Sequence, residues 1–427
     1  MAMWVRKLLD INCLDLAYAV GNCFAPRSPA ALAARLERLW APNKTIACLS
    51  VRSGFDLWLS ALALPRGSEV LVSAITIPDM VRIIEDHGLV PVPVDLDADH
   101  LAMDIDSLRR AVTPRTRAIL FAHLFGTRQP LDEVADFAQQ RGLLLAEDCA
   151  QAFVGREFTG HPEAEVSMFS FGPIKTATAL GGGLLRVRDP QTLASMKAKM
   201  AAQPRQGRWA YCRRLLKYTG MKLLSTRPIY SLIFRTWQAL GRDPDRLVNG
   251  AVRGFAGPDF FRRIRKQPSG PLLALVHRRV AKFDPARIAR RTRLGEHLLA
   301  HSGGSFMSPG FASDVHSYWV FPVLADDSAR LIAALREAGF DGSSAHSMCV
   351  VQPPADRPAQ RATTAEQILP RIVFLPLYNQ LYESELERMA EVLEALAKRG
   401  EATGGRRSGG TRASGSGDRK SEVGSVV

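Results

Sequence analysis

The sequence predicts an α/β protein, a large three-layer unit in which a parallel sheet is covered by helices, followed by a smaller C-terminal α+β unit. Three observations predict it. Between residues 45 and 188, short apolar runs alternate with longer stretches of helical spacing. One of those runs, Leu145-Ala146-Glu147-Asp148, ends abruptly in two acids. After a basic middle segment the alternation resumes from 285 to 399.

Taken in order, residues 1–44 read as an N-terminal arm. Asp10 and Asp15 interrupt its apolar stretches, and no run reaches the roughly 20 apolar residues of a membrane span. Residues 45–202 form the large unit, with strands expected at 69–73, 89–94, 118–122, 143–146, 166–171 and 183–188, several of them rich in Val, Ile and Phe. Helices are expected at 55–64, 78–87, 106–112 and 131–141, with Pro78 suited to a first turn and Gly142 just past an end. Residues 203–284 break the rhythm with Arg/Lys-rich helical stretches at 209–224 and 229–240, and read as an insertion. The smaller unit, 285–399, is expected to run helix 285–301, strand 316–325, helix 327–338, strand 372–378 and helix 383–399. Residues 400–427 offer Gly, Ser, Arg and Glu but nothing to pack, the composition of a disordered tail.

Charge is distributed as unevenly as structure. Of a net +14 over 427 residues, residues 203–300 hold 22 Lys and Arg against five Asp and Glu. No nucleic-acid recognition motif accompanies that charge, so nucleic acid is not an expected partner. The six cysteines lack metal-ligand spacing and no secretory leader precedes them, which points to reduced thiols in a cytoplasmic protein without a metal site.

Two segments carry chemistry. Ligands of open α/β sheets sit outside the carboxyl ends of strands, which is where Asp148 falls; a helix N-cap is the alternative role for an Asp in that place. Lys175 lies in apolar company, with Pro173 and Ile174 before it and Ala177, Ala179 and Leu180 after. Desolvation there lowers a lysine pKa and suits the amine to Schiff-base chemistry, whereas the alternative is a surface lysine that snorkels. Gly181-Gly182-Gly183 would let backbone approach a ligand closely.

Together with Ser53-Gly54-Phe55-Asp56, Ala122-His123-Leu124-Phe125-Gly126, Glu147-Asp148-Cys149-Ala150-Gln151 and Ser170-Phe171-Gly172-Pro173-Ile174-Lys175, these segments resemble the DegT/StrS-type sugar aminotransferase family. The resemblance runs from about 45 to 189 and returns more faintly from 281 to about 399. It implies the fold of the pyridoxal 5'-phosphate (PLP) enzymes of aspartate-aminotransferase type, fold type I, as a homodimer. It also implies transfer of an amino group from an amino acid donor, commonly glutamate, to a keto-sugar acceptor. By the same resemblance, Lys175 holds the cofactor covalently, Asp148 bonds its pyridine nitrogen, Gln151 lies near its ring hydroxyl and Ser170 bonds its phosphate. A helix start at Gly54, Phe55 and Asp56 would add backbone N–H groups to the phosphate. The sequence departs from the family at Ile77, where an aromatic ring usually stacks on the cofactor, and at Phe55, where a threonine is usual. The family's Asn-x-Arg element is not found; at the corresponding distance before 281–284 lies Arg262-Arg263-Ile264-Arg265-Lys266, a basic alternative to it. Family members that dehydrate sugars carry histidine at the lysine position, so Lys175 favours transamination.

Residues 208–240 interleave Trp, Tyr, Leu and Ile with Arg and Lys, the composition of a basic interfacial segment. Peripheral contact with an anionic membrane and packing against a partner subunit both fit it. The rival to an enzyme is a non-catalytic protein of the same fold with a binding or scaffolding role, favoured by Ile77 and Phe55 and opposed by the retained Lys175, Asp148, Gln151 and Ser170.

Overall fold

A computed structural model of the protein describes residues 2–25, 27–241, 257 and 259–398. The tail expected at 400–427 lies outside the described residues. Seven strands make the central sheet: β1 (Thr45–Cys48), β2 (Glu69–Ser73), β3 (Val90–Val94), β4 (Thr116–Ala122), β5 (Leu144–Asp148), β6 (Val166–Ser170) and β7 (Gly183–Val187). Their spatial order is β1-β7-β6-β5-β4-β2-β3. The pairs from β3 to β6 are parallel, and β7 runs antiparallel between β6 and β1. The one reversal has a local cause. Residues 171–182, between β6 and β7, contain no helix, so the chain turns straight back instead of crossing over. That turn carries Lys175.

Strands β2, β6 and β7 are buried along almost their whole length, which is why they read as continuous apolar runs. The helix expected at 55–64 is Val51–Leu62, starting earlier because Ser50 caps it: Ser50 Oγ accepts the Ser53 N–H at 3.2 Å. Gly54 is then within the helix, on the face against the sheet, where a Cβ would stand 2.4 Å from Leu185 Cδ1. The glycine run also serves protein packing. A Cβ on Gly182 would meet Val276 Cγ2 at 2.7 Å, and one on Gly183 would meet the carbonyl carbon of Ser50 at 2.7 Å.

Residues before 45, expected as an N-terminal arm, form two helices packed into the core. Helices Cys13–Phe24 and Pro29–Trp40 share one core cluster with helix Gly270–Ala281, through Leu16, Ala19, Leu36, Leu272 and Leu275. Arg278 and Arg279 both reach Asp15. The last part of the basic segment is thus integral to the core. Its first part forms two helices, Arg208–Leu224 and Arg227–Ala239, the former docked by buried Tyr211, whose hydroxyl donates to the Ala179 carbonyl at 2.7 Å.

C-terminally, helices Ala286–His301, Ser328–Glu337 and Glu383–Lys398 accompany a three-stranded antiparallel sheet of β8 (Phe321–Leu324), β9 (Ser343–Ser344) and β10 (Ile372–Leu375), with β10 in the middle. The strand expected from 316 starts only at Phe321, because the preceding residues are bonded elsewhere. Ser317 N–H donates to Gly126 O at 2.7 Å and Val320 N–H to Phe125 O at 3.2 Å. Gly126, at φ 102°, permits this approach: a Cβ there would lie 2.4 Å from Trp319 N.

Replacing Gly183 with alanine puts a methyl against backbone that has no rotamer to yield. Gly183→Ala is expected to lower unfolding stability by about 1–3 kcal/mol, read from denaturant melts. An unchanged midpoint would show that the sheet and the helix start can separate freely.

Candidate active site

The carboxyl ends of β5 and β6 and the turn after β6 bring Asp148, Ser170 and Lys175 to one edge of the sheet, all three half-buried. Asp148 Oδ1 accepts the Ala150 N–H at 2.9 Å, and among the described residues no other group bonds the carboxylate. Burial pushes this carboxyl up, against the Ala150 bond and the charges of Lys175, His123 and Arg52. His123 Nδ1 accepts the Gln129 N–H at 3.2 Å, a network that assigns the proton to Nε2, which donates to Glu147 Oε1 at 2.9 Å. Burial would raise Glu147, but His123, Ser167 and the His161 N–H hold it down to about 2. His123 and Glu147, each 1 % exposed, thus form a buried pair next to Asp148 along the chain, and the His123 N–H donates to the Asp148 carbonyl at 3.1 Å.

Lys175 sits on the turn between β6 and β7. The turn is pinned by Ala179 N–H and Gly181 N–H, both donating to Phe171 O at 3.0 Å, and by the Thr178 hydroxyl donating to Gly172 O at 2.6 Å. Lys175 Nζ lies 4.1 Å from the ring centre of Trp319. Burial pulls its pKa down to about 8; Asp148 opposes that shift and Arg52 adds to it. A Cβ on Gly172 would touch both Ser170 Oγ, at 3.5 Å, and Lys175 Cγ, at 3.8 Å, so the serine hydroxyl and the lysine stem border one space.

The remaining expected residues fall in different places. Gln151 is at the edge, and its Oε1 accepts the Phe125 N–H at 2.7 Å, which leaves its amide nitrogen as the outward donor. Ile77 is half-buried as the residue that precedes helix Pro78–Asp86. Phe55 is fully buried, stacked 6.1 Å from Trp58. Asp56 is bonded by His87 and doubly by Arg265. Gly54 N–H is already committed to Ser50 O at 3.0 Å. Phe55 and Asp56 therefore have other partners, and the helix turn that leaves N–H groups open is the one at Val51 and Arg52. Arg52 escaped the sequence reading, although its charge reaches both Asp148 and Lys175; Ser50 followed three residues later by Ser53 was the available signal of the true helix start. Trp319 and Lys7, whose Nζ lies 4.0 Å from the same indole centre, come from distant segments and left no local signal.

Residues 28–223 match the DegT/DnrJ/EryC1/StrS aminotransferase family. A curated relative, the UDP-N-acetyl-3-dehydro-alpha-D-glucosamine 3-aminotransferase of Acidithiobacillus ferrooxidans, is 32% identical over 209 residues, which are 48% of this chain and 53% of that protein. The chain thus spans about half the length of the curated relative it matches. Among solved structures, it is similar to the aminotransferase TlmJ of Streptoalloteichus hindustanus (TM-score 0.64, 19% identity, 94% of this chain and 100% of that one). It is also similar to the E. coli GDP-4-keto-6-deoxy-D-mannose-3-dehydratase with bound hydrated PLP (TM-score 0.66, 16% identity, 92% and 100%). These likenesses give the fold, that of the PLP-dependent transferases of fold type I, and the sheet with its single reversed strand accords with it.

A lysine amine reacts only when unprotonated, and Lys175 reaches that state above a pH of about 8 instead of its ordinary 10.5. Competitive acylation of cofactor-free protein, read by peptide mass spectrometry, should show Lys175 labelling rising through a midpoint near 8 while exposed lysines rise near 10.5. A Lys175 midpoint at the ordinary value would contradict the burial described.

Proposed function

We propose that this protein is a PLP-dependent aminotransferase that carries an amino group from an amino acid donor, such as glutamate, to a keto-sugar. The observation that carries the reading is the placement of Asp148 at the carboxyl end of β5 and of Ser170 and Lys175 at the end of β6 and the turn after it, all on one edge of the sheet. The relative that acts on a UDP-linked dehydro-sugar supports the acceptor class. Lysine at 175, where sugar-dehydrating relatives carry histidine, supports amination over dehydration.

The residues fit the cofactor by a structural test: a carboxylate with one N–H bond and room for another, a half-buried amine, a serine hydroxyl beside it and an open helix start. Bound PLP supplies an aldehyde that takes up the amino group and a protonated ring that draws electrons from the carbon losing its proton. Asp148 would hold the proton on the ring nitrogen, a cation that stabilises the ionised carboxylate against its burial. Ser170 Oγ and the N–H groups of Val51 and Arg52 would receive the phosphate, with the positive end of the helix dipole behind them. Gln151 would offer its amide nitrogen, held by the Phe125 bond. Lys175 Nζ, with its pKa pulled to about 8, is a base strong enough to take a carbon-bound proton and weak enough to return it. A homodimer in the cytoplasm is part of the proposal, supported by the fold and by six free cysteines.

Purified protein should show a visible absorption band, lost in Lys175→Ala, that shifts on adding L-glutamate and returns on adding a keto-sugar nucleotide. A colourless wild type that takes up no added PLP would sink the reading and favour the scaffolding alternative.

The proposal extends to peripheral membrane contact through residues 208–240. Trp209, Leu216 and Leu223 recur every seven residues, so they form one stripe, and they are 51%, 60% and 61% exposed. Leu232 and Leu240 extend the apolar surface on the second helix. Between 204 and 241 there are eight Lys and Arg and no acid. An anionic lipid surface complements such a face, whereas a twofold copy of itself would set like charges opposite each other. No described helix is long and apolar enough to cross a membrane. Sedimentation with phosphatidylserine-containing vesicles is expected for wild type and lost in Leu216→Glu/Leu232→Glu. Wild type left in the supernatant would remove the membrane from the proposal.

A further inference from the structure

A cavity of about 400 Å³ opens beside Lys175, between the N-terminal residues 7–12, helix Ala286–His301 and residues 377–380. Seven Lys and Arg line it against a single acid, Asp10. That acid is already engaged, by the Ala177 N–H at 2.7 Å and by Arg287 and Arg279. Lys7, Lys175 and Arg291 are left with no carboxylate within ion-pair distance among the described residues. Arg291 is fixed by its Nε, which donates to Ser317 O at 2.5 Å, and its Nη1 lies 3.5 Å from Thr176 Oγ1. Its Nη2 is buried and has no hydrogen-bond partner. Lys7 donates one bond, to Trp319 O, and keeps two N–H groups. Burial, with Arg291 and Lys175 as lesser causes, drives Lys7 well below its ordinary value, and burial lowers Arg291 to about 10.

A buried guanidinium nitrogen without an acceptor costs free energy that an arriving anion returns. The position of Arg291 selects the anion. In an α-amino acid the carboxylate oxygens are three bonds from the nitrogen, so a donor whose nitrogen reaches Lys175 must place its carboxylate within a few ångströms. Arg291 lies against Thr176, the next residue. The diphosphate of a nucleotide sugar is separated from its keto carbon by ring atoms and falls farther away. We propose that Arg291 Nη2 and Lys7 Nζ form the subsite for the α-carboxylate of the amino donor. The assignment rests on the aminotransferase reading of Lys175, and it makes Arg291 a binding residue that confers specificity for amino acids over simple amines.

The test measures L-glutamate binding to cofactor-free protein by calorimetry, and donor titration of the cofactor band in loaded protein. Arg291→Met should weaken glutamate binding about 10- to 100-fold in both, Arg291→Lys should restore part of it, and the affinity for UDP and for an amine lacking a carboxylate should stay unchanged. Unchanged glutamate binding, or a loss of UDP binding in its place, overturns the assignment. If Arg291→Met fails to fold, Lys7→Met is read by the same criteria. Failure of the aminotransferase reading is separately visible, as wild-type protein without a cofactor band.

Discussion

The Lys175 ammonium and the Asp148 carboxylate steady each other's charge at the carboxyl edge of the sheet, and much of the surrounding architecture serves to keep them there. Burial favours the neutral form of each, and the charge of each opposes that shift in the other. The helix-free turn after β6 that carries the lysine is also what reverses β7, so the site and the sheet topology share one origin. Ala177 and Leu180 take φ values of 54° and 59° in that turn, a strained backbone held by its bonds to Phe171 and Gly172.

Much of this was legible in the sequence where the signal is local. Strand β2 has the bounds its Val and Leu run announces, and Asp148 and Lys175 declare themselves as an acid ending an apolar strand and a lysine among small apolar residues. Helix Val51–Leu62 was legible in existence and not in its start. Ser53-Gly54 looks like a phosphate-binding turn, yet the glycine is needed for close packing on Leu185 and the open N–H groups lie one turn earlier. Glycines report that something comes near the backbone without saying what, and at Gly182 and Gly183 the neighbours are Val276 and Ser50.

Residues that depend on long-range packing were not legible. Lys7, Arg291 and Trp319 converge on Lys175 from three separate segments, and nothing in their neighbours' periodicity distinguishes them from surface residues. The same holds for helix Gly270–Ala281, which sequence pattern groups with a basic insertion and tertiary packing places under the N-terminal helices. Net charge misleads in such a stretch, because Arg278 and Arg279 are spent on Asp15 inside the fold while Arg208, Arg213, Lys217 and Arg235 are exposed.

The absence of a side chain at Gly126 has a mechanical result. Backbone bonds from Ser317 and Val320 fasten the chain to Phe125 and Gly126, and β8 begins one residue later. Trp319 is a late residue by number but is riveted to the large sheet's own loop. The height of the indole over the lysine is therefore set by that loop and by the Trp319 Nε1–H bond to Ile174 O at 3.0 Å, and not by β8.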